Sequence, residues 1–81
     1  MTMTTMRFFA AARAAVGIDE TTVDAATLDG ALRAVDAEDA LRWEALQERC
    51  SYLVDGISTR DRSTPLDGVA LVDVMPPFAG G

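Results

Sequence analysis

The sequence contains no lysine, no histidine and a single cysteine. Without an imidazole and with one thiol, neither a Ser-His-Asp triad nor a metal cluster built on Cys and His ligands can be assembled, so no stand-alone catalysis is expected. One cysteine, Cys50, cannot form an internal disulfide, which fits a reducing compartment and makes a cytoplasmic location the expectation. Seven arginines against 13 acidic residues give a net charge of -6. A chain so short of positive charge lacks the basic surface through which nucleic acid is held, and nucleic acid is not an expected partner. Long apolar runs are also missing. Near the N-terminus the run Phe8 to Ala12 is cut by Arg13, and nothing approaches the ~20 apolar residues of a membrane span, so no signal, anchor or membrane partner is expected.

What is present suits a small folded core. Eighty-one residues with a 49% hydrophobic fraction can close one interior and not two, so the expectation is a single domain over residues 1–81. Met1 to Thr5 carries no packing pattern and is expected to fray, with ordered structure starting at Met6. Met6, Phe8 and Ala10 alternate with Arg7 and Phe9, the period of a strand that turns Phe8 inward. The alanine-rich stretch Ala11 to Val16 predicts a short helix closed by Gly17. Thr21-Thr22-Val23 is β-branched and reads as a second strand pairing with the first. Thr27 can cap a helix in which Leu28, Ala31, Leu32 and Val35 recur at i, i+3, i+4 and i+7. Asp36 and Asp39 can start a further helical stretch through Leu41, Ala45 and Leu46, with Trp43 beside them.

Beyond Cys50, which sits where helix should give way to strand, Ser51 to Ser58 is strand-like with a turn or bulge at Gly56. Tyr52 and Val54 share a face. Pro65-Leu66-Asp67-Gly68 marks a turn, and Val69 to Met75 is the clearest strand, stopped by Pro76-Pro77. Strand, strand, helix, strand, strand predicts an α+β fold, a mixed sheet with helix packed on one face.

The chemistry concentrates at the end of the chain, Met75-Pro76-Pro77-Phe78-Ala79-Gly80-Gly81. Prolines stiffen the exit from the sheet, while glycines lack a Cβ and can thread a narrow channel, so a flexible tail ending in a reactive carboxylate is the expectation. Strand parity also predicts a docking face. If Arg7 and Asp73 face water, Phe9, Leu71 and Met75 share their side, and an apolar outward patch calls for a partner to cover it.

Arg7-Phe8-Phe9-Ala10 with Arg13 and Gly17, Val54-Asp55-Gly56, Pro65-Leu66-Asp67-Gly68, and Pro76-Pro77 ahead of Gly80-Gly81 together resemble, in order and spacing, the MoaD and ThiS family of sulfur carriers. The likeness spans Met6 to Gly81 and is stronger to MoaD, the small subunit of molybdopterin synthase. It departs at Val69, where the family usually carries an acid, and at Phe78-Ala79, where it carries a smaller pair. The resemblance implies a ubiquitin-like β-grasp fold. It implies that an adenylating, MoeB-like enzyme uses ATP to convert the Gly81 carboxylate to an acyl-adenylate, from which a sulfur donor displaces AMP to leave a thiocarboxylate. The end would then enter a MoaE-like large subunit, which carries the catalytic pocket, and give up its sulfur in molybdenum cofactor synthesis. No bound cofactor is implied. On this likeness Gly81 and Gly80 are the reacting end, and Phe9, Leu71, Met75, Pro76, Pro77, Phe78 and Ala79 form the partner-binding surface. Carriers for thiazole or cysteine synthesis, a ubiquitin-like modifier joined to target lysines through Gly81, and a purely structural interaction domain are the competing readings.

Overall fold

The computed structural model describes residues 3–77. Strand β1 (Thr4–Phe8) leads into helix α1 (Ala10–Val16) and strand β2 (Glu20–Val23). Helices α2 (Leu28–Ala34) and α3 (Ala40–Gln47) follow, then strands β3 (Ser51–Val54), β4 (Ile57–Thr59) and β5 (Leu71–Met75). The five strands form one sheet in the order β2-β1-β5-β3-β4. The first and last strands lie side by side at its centre and run parallel, while every other neighbour is antiparallel. A mixed sheet with helices on one face is the arrangement the sequence predicts.

Each element has a local cause. Gly17 ends α1 at φ 96°, with its N–H donating to the Arg13 carbonyl at 2.8 Å, a left-handed cap that a Cβ disfavours. Thr27 caps α2, its Oγ1 accepting from the Gly30 N–H at 3.2 Å, and Asp39 caps α3 in the same way through the Arg42 N–H at 3.1 Å. Asp55 and Gly56 both have positive φ, 47° and 86°, and join β3 to β4 as a two-residue hairpin. The Gly56 punctuation is therefore a full reversal, and Ser51 to Ser58 supplies two strands rather than one.

Several expectations are corrected. Ordered structure begins before Met6, because Thr4 is fully buried and its Oγ1 donates to the Val69 carbonyl at 2.9 Å. That tertiary partner, 65 residues away in sequence, leaves no local signal. The last strand starts at Leu71 and not Val69, since Val69 still closes the Gly68 turn by donating its N–H to Leu66. Leu41 does not join the core; it is 82% exposed, and Trp43 and Gln47 are the buried residues of α3. Trp43 decides that rotation. Its ring meets Phe8 edge-on at 5.5 Å between centroids and its Nε1–H donates to the Leu32 carbonyl at 3.2 Å, and a residue two positions away on a helix points nearly opposite.

The core lies between the helices and the inward face of the sheet. Met6, Phe8, Tyr52, Val72 and Val74 from the strands pack with Ala12, Ala15, Val16, Leu28, Leu32 and Trp43 from the helices. Each large side chain so buried contributes roughly 1.5–3 kcal/mol, and a sheet covered on one face keeps the other for contacts elsewhere.

Candidate functional site: the outward sheet face and the exit of the last strand

The register of the central strands determines what the uncovered face displays. Thr5 pairs with Leu71, Arg7 with Asp73, Leu53 with Asp73 and Ser51 with Met75. Since directly paired residues lie on the same side, Leu71, Asp73, Met75, Arg7 and Leu53 form one outward surface around β5. Their neighbours Val72 and Val74 are fully buried on the other side.

An ion pair sits at the middle of this surface. Arg7 Nε donates to Asp73 Oδ1 at 2.6 Å and Nη2 donates to Oδ2 at 3.1 Å. The hydrogen bond and the charge of Asp73 hold the Arg7 guanidinium above its ordinary pKa. Arg7 also lies over the ring of Phe9, with Cζ 5.8 Å from the centroid. Asp73, expected to face water, is turned outward but only 9% exposed, because Arg7 covers it.

The apolar members surround that pair. Phe9 is 39% exposed, and Leu71 and Met75 are half-buried, each on the side that strand parity predicts. Leu53, half-buried opposite Asp73, belongs to the same surface and was not among the sequence-predicted residues. Its signal was available, because the alternation that turns Tyr52 and Val54 inward turns Leu53 outward.

The chain leaves the sheet beside the start of β3, where Met75 pairs with Ser51. Pro76 is buried and Pro77 is exposed, so the exit is anchored at the first proline and leaves the body of the domain at the second. The predicted residues Phe78, Ala79, Gly80 and Gly81 lie outside the described residues. Strand β5 is held firmly at its other end: the Asp55 carboxylate accepts from the N–H groups of Ala70 and Leu71 at 3.1 and 3.0 Å, and the Asp55 N–H donates to the Leu71 carbonyl at 2.9 Å.

Cys50, the one thiol, is buried next to β3, and burial pushes its pKa up to about 11. On the helical side, an open depression of about 660 Å³ is lined by Leu32, Arg33, Trp43, Glu44 and Arg62 among others. Its arginines, Arg33 and Arg62, both bind Asp29, at 2.9 and 2.7 Å. It contains neither Cys nor His, and among the described residues no group of His, Cys, Asp and Glu could hold a metal ion. Nor, among those residues, is any helix long and apolar enough to cross a membrane.

Comparison with known proteins bears on both the fold and the tail. The model of the ThiS family matches residues 6–81, a span that begins within β1 and includes Gly80 and Gly81. None of the curated proteins compared matches the sequence. Among solved structures, the crystal structure of SAMP1 from Haloferax volcanii superposes with a TM-score of 0.73 over 99% of this chain and 100% of that one, at 19% identity. At that identity the likeness concerns the fold, which is the ubiquitin-like β-grasp.

Proposed function

The chain belongs to the ThiS family of small ubiquitin-like sulfur carriers, and from that premise we propose that its reagent is the Gly81 carboxylate, adenylated, converted to a thiocarboxylate and discharged in molybdopterin synthesis. The observation that carries the carrier chemistry is the extent of the family match, which continues past β5 to the glycine pair; the molybdopterin destination rests on Pro76-Pro77 ahead of that pair, the feature that resembles MoaD. A free carboxylate resists nucleophilic attack. Joining it to AMP as a mixed anhydride provides a good leaving group, and a donor sulfur then displaces AMP. The ATP and the catalytic groups belong to the activating partner, of MoeB-like type, and the sulfur-accepting pocket to a MoaE-like large subunit in the cytoplasm.

The domain contributes placement. Anchoring β5 at Asp55 and Pro76 gives the tail a defined origin, and Gly80 gives clearance beside the reacting carbonyl. The outward surface of Phe9, Leu71 and Met75, together with Pro76, Pro77, Phe78 and Ala79 that follow in sequence, is the proposed partner-binding face. Its apolar ring around a paired charge combines buried contact area with a fixed orientation.

The test is intact mass after co-expression with the native activating enzyme and sulfur donor. The expected result is replacement of one oxygen by one sulfur, mapped to Gly81. An unchanged mass, or a sulfur that maps to a residue other than Gly81, defeats the reading. The family match equally supports a carrier for thiazole formation. Co-purification with a molybdopterin-synthase large subunit selects the first, and with a thiazole-forming enzyme the second.

A further inference from the structure

An activated acyl end is electrophilic toward any amine or thiolate it meets, including those of its own chain or of a second copy. This chain presents few. It has no lysine and no histidine, and all seven cationic side chains are arginine. Guanidinium stays protonated at neutral pH and is not an acyl acceptor. The single thiol, Cys50, is 1% exposed, and burial keeps it protonated. The single phenol, Tyr52, is equally buried, its hydroxyl donating to the Gln47 carbonyl at 2.7 Å. Serine and threonine hydroxyls need an adjacent base to attack; no histidine exists to serve as one, and the carboxylate that Ser63 Oγ donates to, Asp61 at 2.6 Å, is a weak base held below its ordinary pKa by that contact.

Resting on the reading of Gly81 as an activated acyl carrier, we propose that the folded surface is silent toward acyl transfer from its own kind, so that the activated end survives until a partner presents an acceptor. The reaction avoided is simple aminolysis or thiol exchange. A nitrogen or sulfur bonds to the Gly81 carbonyl carbon, the bond to the leaving group breaks, and the proton of the attacking group passes to the leaving group or to water. Some arginines have a structural reason to be arginine, since Arg7 and Arg62 each donate through more than one nitrogen. Arg42 and Arg49 do not: both are exposed, with no ion pair among the described residues, and packing there would accept lysine equally well.

The experiment installs a 2-mercaptoethanesulfonate thioester on Gly81 chemically, in the wild type and in Arg42→Lys/Arg49→Lys, and follows each at pH 8.5 by intact mass and peptide mapping. The wild type is expected to give hydrolysis and adducts at the α-amino group alone. The variant is expected to add amide-linked dimers at the substituted positions, even with only about one lysine amine in a hundred deprotonated at that pH. Unfolding the wild type in guanidinium should open Cys50 to thioester exchange, at least about tenfold faster than in the folded state. Side-chain adducts in the folded wild type, or a lysine variant that forms none, overturn the proposal. Because the thioester is made without any enzyme, this outcome is independent of whether Gly81 is adenylated, which the mass experiment above decides.

Discussion

Arg7 and Asp73 meet across the central parallel pair of strands, two nitrogens of one guanidinium on two oxygens of one carboxylate at 2.6 and 3.1 Å. Because one residue comes from the first strand and the other from the last, the contact joins the two ends of the fold on the outward face. Reversing one charge, as in Arg7→Asp, should lower the thermal midpoint, and the exchange Arg7→Asp/Asp73→Arg should recover most of the loss. Partner binding should stay impaired in the exchanged protein, because the cation no longer lies over Phe9. Equal binding by the exchanged and native proteins would separate this surface from docking.

Met75 and Gly80 test the two halves of the proposed function separately. Met75→Asp places a charge in the half-buried outward patch and should weaken association with the large subunit by more than about tenfold, or about 1.4 kcal/mol, while leaving the melting curve close to native. Gly80→Val should fold normally and abolish adenylation, measured by pyrophosphate exchange. Full exchange activity in that variant would contradict the threading of the tail through a narrow channel.

Gly17→Ala should destabilise by about 1–2 kcal/mol, measured by urea unfolding, because the residue holds φ at 96°. An added Cβ would also collide with the Glu38 carboxylate. That group is the far end of a flexible side chain and can swing aside, so the backbone conformation carries most of the cost. Gly17→Ala/Glu38→Ala should therefore recover only a minor share.

Thr4→Val keeps the shape of the buried residue and removes its hydrogen bond to the Val69 carbonyl, for an expected loss of about 1–2 kcal/mol in the same measurement. A neutral outcome would mean that water or another donor takes over the carbonyl.

Acid should weaken the fold in a defined window. Burial opposes ionisation of Asp29, but hydrogen bonds and charge from Arg62 and Arg33 outweigh it and hold its pKa below the ordinary value. Hydrogen bonds from Ser63 do the same for Asp61. A depressed folded pKa means that the stabilisation is complete above the unfolded value, near 4, and is lost as pH falls through the folded one. Thermal midpoints should thus decline below about pH 4, and Asp29→Asn should flatten part of that decline while lowering stability at neutral pH. At the alkaline end the slope has the opposite sign, stability falling as pH rises. Burial raises the Cys50 thiol to about 11, so its contribution is intact below the unfolded thiol value and disappears as pH climbs to the folded one.

By itself the sequence determined the fold class and the identity of most elements. Alternation placed Phe8 and Tyr52 inward and Phe9, Leu71 and Met75 outward; Thr27, Asp39 and Gly17 marked helix ends; the prolines after Met75 marked the end of the last strand. These are local signals, carried by a backbone period or by one residue's preferred φ, and they need no knowledge of distant contacts. Only the tertiary structure decided what depends on partners far along the chain. Thr4 is ordered because Val69 accepts its hydroxyl, α3 is rotated because Trp43 finds Phe8 and Leu32, and Asp73 is covered because Arg7 lies in register beside it. In each case the energy comes from a contact made across the fold, so no window of neighbouring residues could have contained it.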